Sequence, residues 1–195
     1  MTLADIEAVN RAQPDLAGFI FAKGRHQIDL TTALKLRHAL DKKIESVGVF
    51  VNAPMDEMLR AFDSGAISMI QLHGQESEQT VLALQKHHIP VVNVFKPTTT
   101  IPQTRADYIM LDSGSGNGQP VAWEKLKLQT NKPLIIASAL NIDNVIEAIR
   151  TTKPTLVDLS RGVETNGHKD SQKILKIVKL VHQFNGGISD GRNKK

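Results

Sequence analysis

The chain has 195 residues, 41% hydrophobic and 4% aromatic, with no cysteine and a formal charge of +4. That length suits one well-filled domain, and an aliphatic core suits a parallel sheet covered by helices; without thiols there is no disulfide, thiolate metal site or cysteine base in these residues. The tail from Asp190 carries Arg192, Lys194 and Lys195, so the body is nearly neutral; it shows no basic stripe, membrane-length apolar run or signal peptide, and no nucleic-acid or membrane partner is expected for what reads as a cytoplasmic protein.

Thr2 to Ala12 has apolar residues at Leu3, Ile6, Ala8 and Val9 and acidic residues in its first turns, which predicts an opening helix. Pro14-Asp15 ends it, and the apolar run Ala17–Ala22 reads as a strand. Helices over Leu30–Leu40, Met55–Ser64 and Glu76–His87 then alternate with strands Val47–Val51, Ile67–Leu72 and Val91–Phe95. Lys96–Ala106 is too polar and rich in Thr and Pro for a helix. Strand Tyr108–Leu111, a helical segment Trp123–Leu128, strand Leu134–Ala137, helix Ile142–Arg150, strand Thr155–Leu159 and helix Asp170–Phe184 complete the pattern. Gly186-Gly187 is expected to stop the last helix, leaving one domain over 1–185 and a disordered tail over 186–195.

Seven strands in strict alternation with helices imply a parallel sheet, one strand short of a closed (β/α)8 barrel. The unpaired first helix places the missing strand before Thr2. An open doubly wound sheet is the competing architecture, and the motifs at the strand ends favour the barrel.

In such folds the carboxyl ends of the strands carry the chemistry. Asp112 ends a buried strand and is followed at once by Gly114, Gly116 and Gly118, which let the backbone turn and approach a ligand. Asn52, Gln71 and His73 end the two strands that make the third and fourth of an eight-strand count, where they line the expected mouth. Ser138-Ala139 and Ser160-Arg161-Gly162 follow the last two strands, where barrels bind phosphate with backbone amides. Asp170 reads as the N-cap of the last helix, and Lys169 beside it as a solvated charge or a supporting partner.

Taken together, Gly48-Val-Phe-Val-Asn52, Ile70-Gln-Leu-His-Gly74, Leu111-Asp-Ser113 with Gly116 and Gly118 ahead of Trp123, and Val157-Asp-Leu-Ser-Arg-Gly-Val-Glu164 followed by Gly167, Lys169 and Asp170 resemble the phosphoribosylanthranilate isomerases. The resemblance implies a TIM barrel that performs an Amadori rearrangement on a small phosphosugar in tryptophan biosynthesis, without cofactor or metal. It implies Asp112 as the general acid, Glu164 among the substrate-binding groups, and a phosphate site at Ser138, Ala139, Ser160 and Gly162, with Gly116 and Gly118 beside it.

Three departures accompany it. The family's first strand carries a cysteine base, and this chain begins at Met1 where that strand should have ended; an internal start, and an impaired chain as given, are expected. Asp158 is a poor substitute base on its position. The family's arginine for the anthranilate carboxylate aligns with Arg25 or His26, of which Arg25 is preferred because a guanidinium matches a carboxylate bidentately. The family's Gly-Gly at the seventh-strand loop is Ser138-Ala139 here. A non-catalytic phosphosugar-binding barrel and an enzyme like indole-glycerol-phosphate synthase are the alternatives; a monomer is the simplest assembly.

Overall fold

The computed structural model describes residues 1–97, 101–113, 121–123 and 130–192, the segment 185–192 as backbone. Helix α1 (Leu3–Ala12) starts behind a capping box in which Thr2 Oγ1 accepts from Asp5 N–H and Thr2 N–H donates back to the Asp5 carboxylate at 2.7 Å. It ends at Gln13, held at a φ of 53°, just before Pro14. Strands β1 (Leu16–Ile20), β2 (Glu45–Phe50), β3 (Met69–Leu72), β4 (Val91–Phe95), β5 (Tyr108–Leu111), β6 (Leu134–Ile136) and β7 (Leu156–Val157) follow, with helices α2 (Leu30–Ala39), α3 (Met55–Asp63), α4 (Glu78–Lys86), α5 (Val145–Thr152) and α6 (Ser171–Arg192). The seven strands form one parallel sheet in chain order, as the alternation of elements predicts.

Side chains on a strand alternate between faces, and here both faces are apolar for different reasons. Outward residues such as Phe19, Phe50, Ile70 and Leu72 pack under Ile6, Leu36, Met58 and Leu84 from α1 to α4. Each such buried side chain contributes about 1.5–3 kcal/mol. Inward, every strand contributes to a shared cluster that includes Leu16, Val47, Met69, Val92, Met110, Ile135 and Leu156. Two residues beyond Met69, Met110 and Leu156 on the same face come Gln71, Asp112 and Asp158. The curled sheet therefore has an apolar interior layer, and the next layer toward the strand ends carries the polar groups of β3, β5 and β7 among Gly18, Val49, Val94 and Ala137.

Among the described residues β1 and β7 do not pair with each other, so each is an edge of the sheet. A cavity of about 270 Å³ lies between them, lined by Leu16, Gly18 and Ile20 on one side and Leu156, Val157 and Asp158 on the other. Helices α1 and α6 close over its outside, where Ala8 packs with Ile174 and Ile177.

Several boundaries differ from the expected ones. Helix α6 runs through Gly186-Gly187 to Arg192, so residues expected in a disordered tail are helical; a glycine costs a helix about 1 kcal/mol relative to alanine but keeps the N–H the helix needs. Helix α5 begins at Val145 and not Ile142, because Asn141 and Asn144 cap each other's backbone N–H groups with their side chains, at 2.8 and 3.3 Å. Asp170 is the cap of α6, accepting from Gln172 and Lys173 N–H at 2.9 and 3.1 Å. A hairpin absent from the sequence reading, β8 (Glu164–Thr165) and β9 (His168–Lys169), turns through Asn166 and Gly167 at φ values of 50° and 80°. Two positive φ angles make it the type I′ turn that Asn-Gly favours. The glycine loop after Asp112, with Gly114, Gly116 and Gly118, and all but the first residue of the segment Trp123–Leu128 lie outside the described residues.

Candidate active site

Asp112 stands one residue past the end of β5, where its backbone N–H still joins the ladder to Phe95 O at 2.9 Å. That last bond fixes the side chain on the inward face. Two donors then meet the carboxylate: Ser138 Oγ at 2.6 Å on Oδ1, and His73 Nε2 at 3.3 Å from Oδ2. His73 is itself placed by the ladder, through its N–H to Phe50 O at 2.8 Å, and by the buried Gln71, whose Nε2 lies 2.8 Å from Nδ1. Gln71 Nε2 can only donate, so Nδ1 accepts and the ring proton is on Nε2, facing Asp112.

Asp158, at the end of β7, is the second carboxylate of this interior. Its side chain is exposed to the cavity, yet it lies deep among surrounding protein atoms, and the resulting loss of bulk solvation, reinforced by the charge of Asp112, pushes its proton affinity above the ordinary carboxylate value; His73 and Lys169 oppose the shift.

A second cluster bridges the cavity mouth. Glu164 has a side chain only 6% exposed, and Arg25 Nη2 and Lys169 Nζ each lie 2.9 Å from its oxygens. Glu164 and Lys169 face each other as a registered pair across the β8–β9 hairpin, and Lys169 also donates to Ser160 O at 2.8 Å. Burial opposes ionisation of Glu164, but the Lys169 hydrogen bond and charge, with His26 and Arg25, win and hold the carboxyl below its usual range. His26 Nε2 sits 3.2 Å from Glu164 and 2.9 Å from Arg25. Burial, helped by the Arg25 and Lys169 charges and opposed by Glu164, lowers its proton affinity.

The two loops that follow β6 and β7 lie backbone against backbone. Gly162 is set so close to the Leu140 carbonyl oxygen that a Cβ would overlap it. Ser138 and Ala139 take φ values of 86° and 50°, and Asn144 Nδ2 holds Ala139 O at 3.0 Å. Asn52, by contrast, is engaged outside the acid cluster: its Oδ1 accepts from Gln75 N–H at 2.9 Å, and its N–H donates to Glu76 at 2.6 Å, clamping the β2 loop to the β3 loop.

Residues 1–180 match the family model of N-(5′-phosphoribosyl)anthranilate isomerase. The chain is 45% identical over 179 residues to the isomerase of that name from Lacticaseibacillus casei (strain BL23), covering 92% of this chain and 89% of the relative. It is 40% identical over 188 residues to that of Endomicrobium trichonymphae, covering 92% and 94%. The chain belongs to the phosphoribosylanthranilate isomerase family. The fold agrees: the crystal structure of the Thermus thermophilus phosphoribosylanthranilate isomerase superposes with a TM-score of 0.83 at 28% identity, covering 94% of this chain and 95% of that one.

Within that family assignment the structure groups the expected residues in two. Asp112, Gln71, His73 and Ser138 form the acid cluster; Arg25, His26, Glu164 and, through Lys169, Ser160 form the mouth cluster. Ala139 and Gly162 lie on the paired loops, Asn52 stands apart, and Gly116 and Gly118 fall outside the described residues. Sequence reasoning overlooked the Ser138 hydroxyl as a partner of Asp112 and the tie of Lys169 to Glu164. Only the second had a local signal, the Asn-Gly turn that brings positions 164 and 169 opposite each other. The alternative like indole-glycerol-phosphate synthase falls with the family assignment.

Proposed function

We propose that the chain converts N-(5-phosphoribosyl)anthranilate to 1-(2-carboxyphenylamino)-1-deoxyribulose 5-phosphate, a step of tryptophan biosynthesis, as a cytoplasmic single-domain enzyme without a cofactor. The observation that carries the reading is Asp112, inward at the end of β5 and held by His73 and Ser138 above an apolar layer. Asp112 gives its proton to the furanose ring oxygen as the C1′–O bond breaks, and the anthranilate nitrogen lone pair forms the C1′=N bond of a Schiff base. Loss of the C2′ proton to a base then gives the enolamine, which tautomerises to the ketone. The carboxyl of Asp158, whose proton affinity is raised by its surroundings and by the charge of Asp112, faces the same interior.

The paired loops at Ser138-Ala139 and Ser160-Gly162 receive the phosphate through backbone amides, because Gly162 keeps the two backbones adjacent. The exposed Arg25 guanidinium, anchored by one nitrogen to Glu164, has further N–H groups for the anthranilate carboxylate. The purified chain, given enzymatically generated phosphoribosylanthranilate, is expected to consume its anthranilate fluorescence and yield the ketose. A chain that binds a reduced product analogue without any turnover would instead favour the non-catalytic reading.

A further inference from the structure

The side chain of Ser138 does something that a place in a phosphate loop does not require. Its Oγ accepts the Ser113 N–H and donates to Asp112 Oδ1 at 2.6 Å. A hydroxyl whose oxygen is engaged by a backbone donor has one proton left, and here it points at the carboxylate. The position is also unfavourable for any side chain, since φ is 86° at Ser138 and 50° at Ala139, a region where glycine is at ease. Glycine is what the family resemblance places there. A hydroxyl kept at a strained position, in contact with the carboxylate of the site, points to use.

We infer that Ser138 is a positioning residue for the acid: its hydroxyl fixes the Asp112 carboxylate between the ends of β5 and β6 and, through its hydrogen bond to Oδ1, favours the ionised form. This rests on the reading of Asp112 as the general acid. Other titratable groups face these two carboxylates: His73 from the end of β3, on Asp112 Oδ2 at 3.3 Å, and Lys169 from β9, which acts on Asp158 across the cavity mouth. Ser138 thus opposes Asp158 in setting how readily Asp112 takes up the proton it must deliver. The loop that is proposed to meet the phosphate and the group that protonates the sugar are linked through one side chain.

Two variants separate the hydroxyl from the backbone strain: Ser138→Ala removes Oγ and keeps Cβ, and Ser138→Gly removes both. The titration of Asp112, followed by the 13C shift of its side-chain carboxyl in the whole protein, is expected to move up by about one pH unit in both, because the lost donor stabilised only the ionised form. The alkaline limb of kcat/KM for phosphoribosylanthranilate should move up with it, while kcat at the optimum falls several-fold as the acid loses its fixed direction. Midpoints unchanged in both variants would overturn the assignment, whatever happens to turnover. Asp112→Asn is the control for the underlying reading: if it turns over like the wild type, the acid role fails, and the carbon titration still judges Ser138.

Discussion

Strands β1 and β2 share five registered pairs, β2 and β3 four, and β4 and β5 four, whereas β7 offers two pairs to β6 and, among the described residues, none to β1. On the first side of the molecule the sheet is held by its own backbone. Across the gap the connection at the mouth is made by side chains: Arg25 and His26, which follow β1, reach Glu164 on the hairpin that follows β7. A charge cluster matters where water is kept from it and no strand ladder spans the gap. The exposed Arg60–Asp56 pair on α3, with side chains 64% and 67% exposed, contributes little because water screens it. Glu164, with a side chain 6% exposed and two cations hydrogen-bonded to it, does what a strand ladder does elsewhere.

The sharpest way to test that contrast is a pair of glycine substitutions. In Gly162→Ala the new methyl meets the Leu140 backbone, which cannot move without displacing the loop after β6; a loss of about 3 kcal/mol is expected. Gly48→Ala, on the backbone-paired side, meets side chains and no backbone, the tip of Ile67 and the ring of Phe50; about 1–2 kcal/mol is expected. Thermal melts decide between them, and equal losses would erase the distinction.

Next in size is Glu164→Gln, which leaves Lys169 and Arg25 without their counter-charge and should cost about 1–3 kcal/mol. Since Glu164 is held below its ordinary value of 4.5, its stabilising contribution is present above that pH and is lost as pH falls through the lower folded value. Acid melts of wild type and Glu164→Gln should therefore converge only below 4.5, as pH falls through the lower folded value. Identical melting temperatures of the two proteins at neutral pH would show that the cluster does not join the edges.

The smallest expected stability effect has the opposite sign. Asp158 is raised above its ordinary 3.8, so its ionisation opposes folding: the stability available below 3.8 is lost as pH rises through the folded value. Asp158→Asn should melt slightly higher than the wild type near neutrality while turning over more slowly, and a lower melting temperature would show that the carboxylate is needed by the fold. The same cavity wall then holds one carboxylate that supports the fold and one that weakens it in favour of the site.

Much of this was legible in the residues. Strands buried on both faces read as continuous apolar runs, so all seven could be placed, and Asp112 was identifiable because a carboxylate directly ends one of them. What could not be read were contacts between distant positions. Ser138 and Asp112 are 26 residues apart, and Arg25 and Glu164 are 139 apart, so no local pattern marks either pair. Asn52 was expected at the mouth because it ends β2, yet its φ of 49° turns the side chain toward Gln75. Gly186-Gly187 was read as a helix stop, but packing of the preceding turns at Ile174 and Ile177 anchors α6 well enough to carry the glycines.

The most direct measurement of the central claim is kcat/KM for phosphoribosylanthranilate in wild type and Asp112→Asn, with melting temperatures taken in parallel. The amide keeps the shape of the side chain and removes the proton it delivers. A fall on the order of 10³-fold at nearly unchanged stability is the expected result. Activity within tenfold of the wild type would contradict the account, since the group that His73 and Ser138 hold in place would then not be the acid.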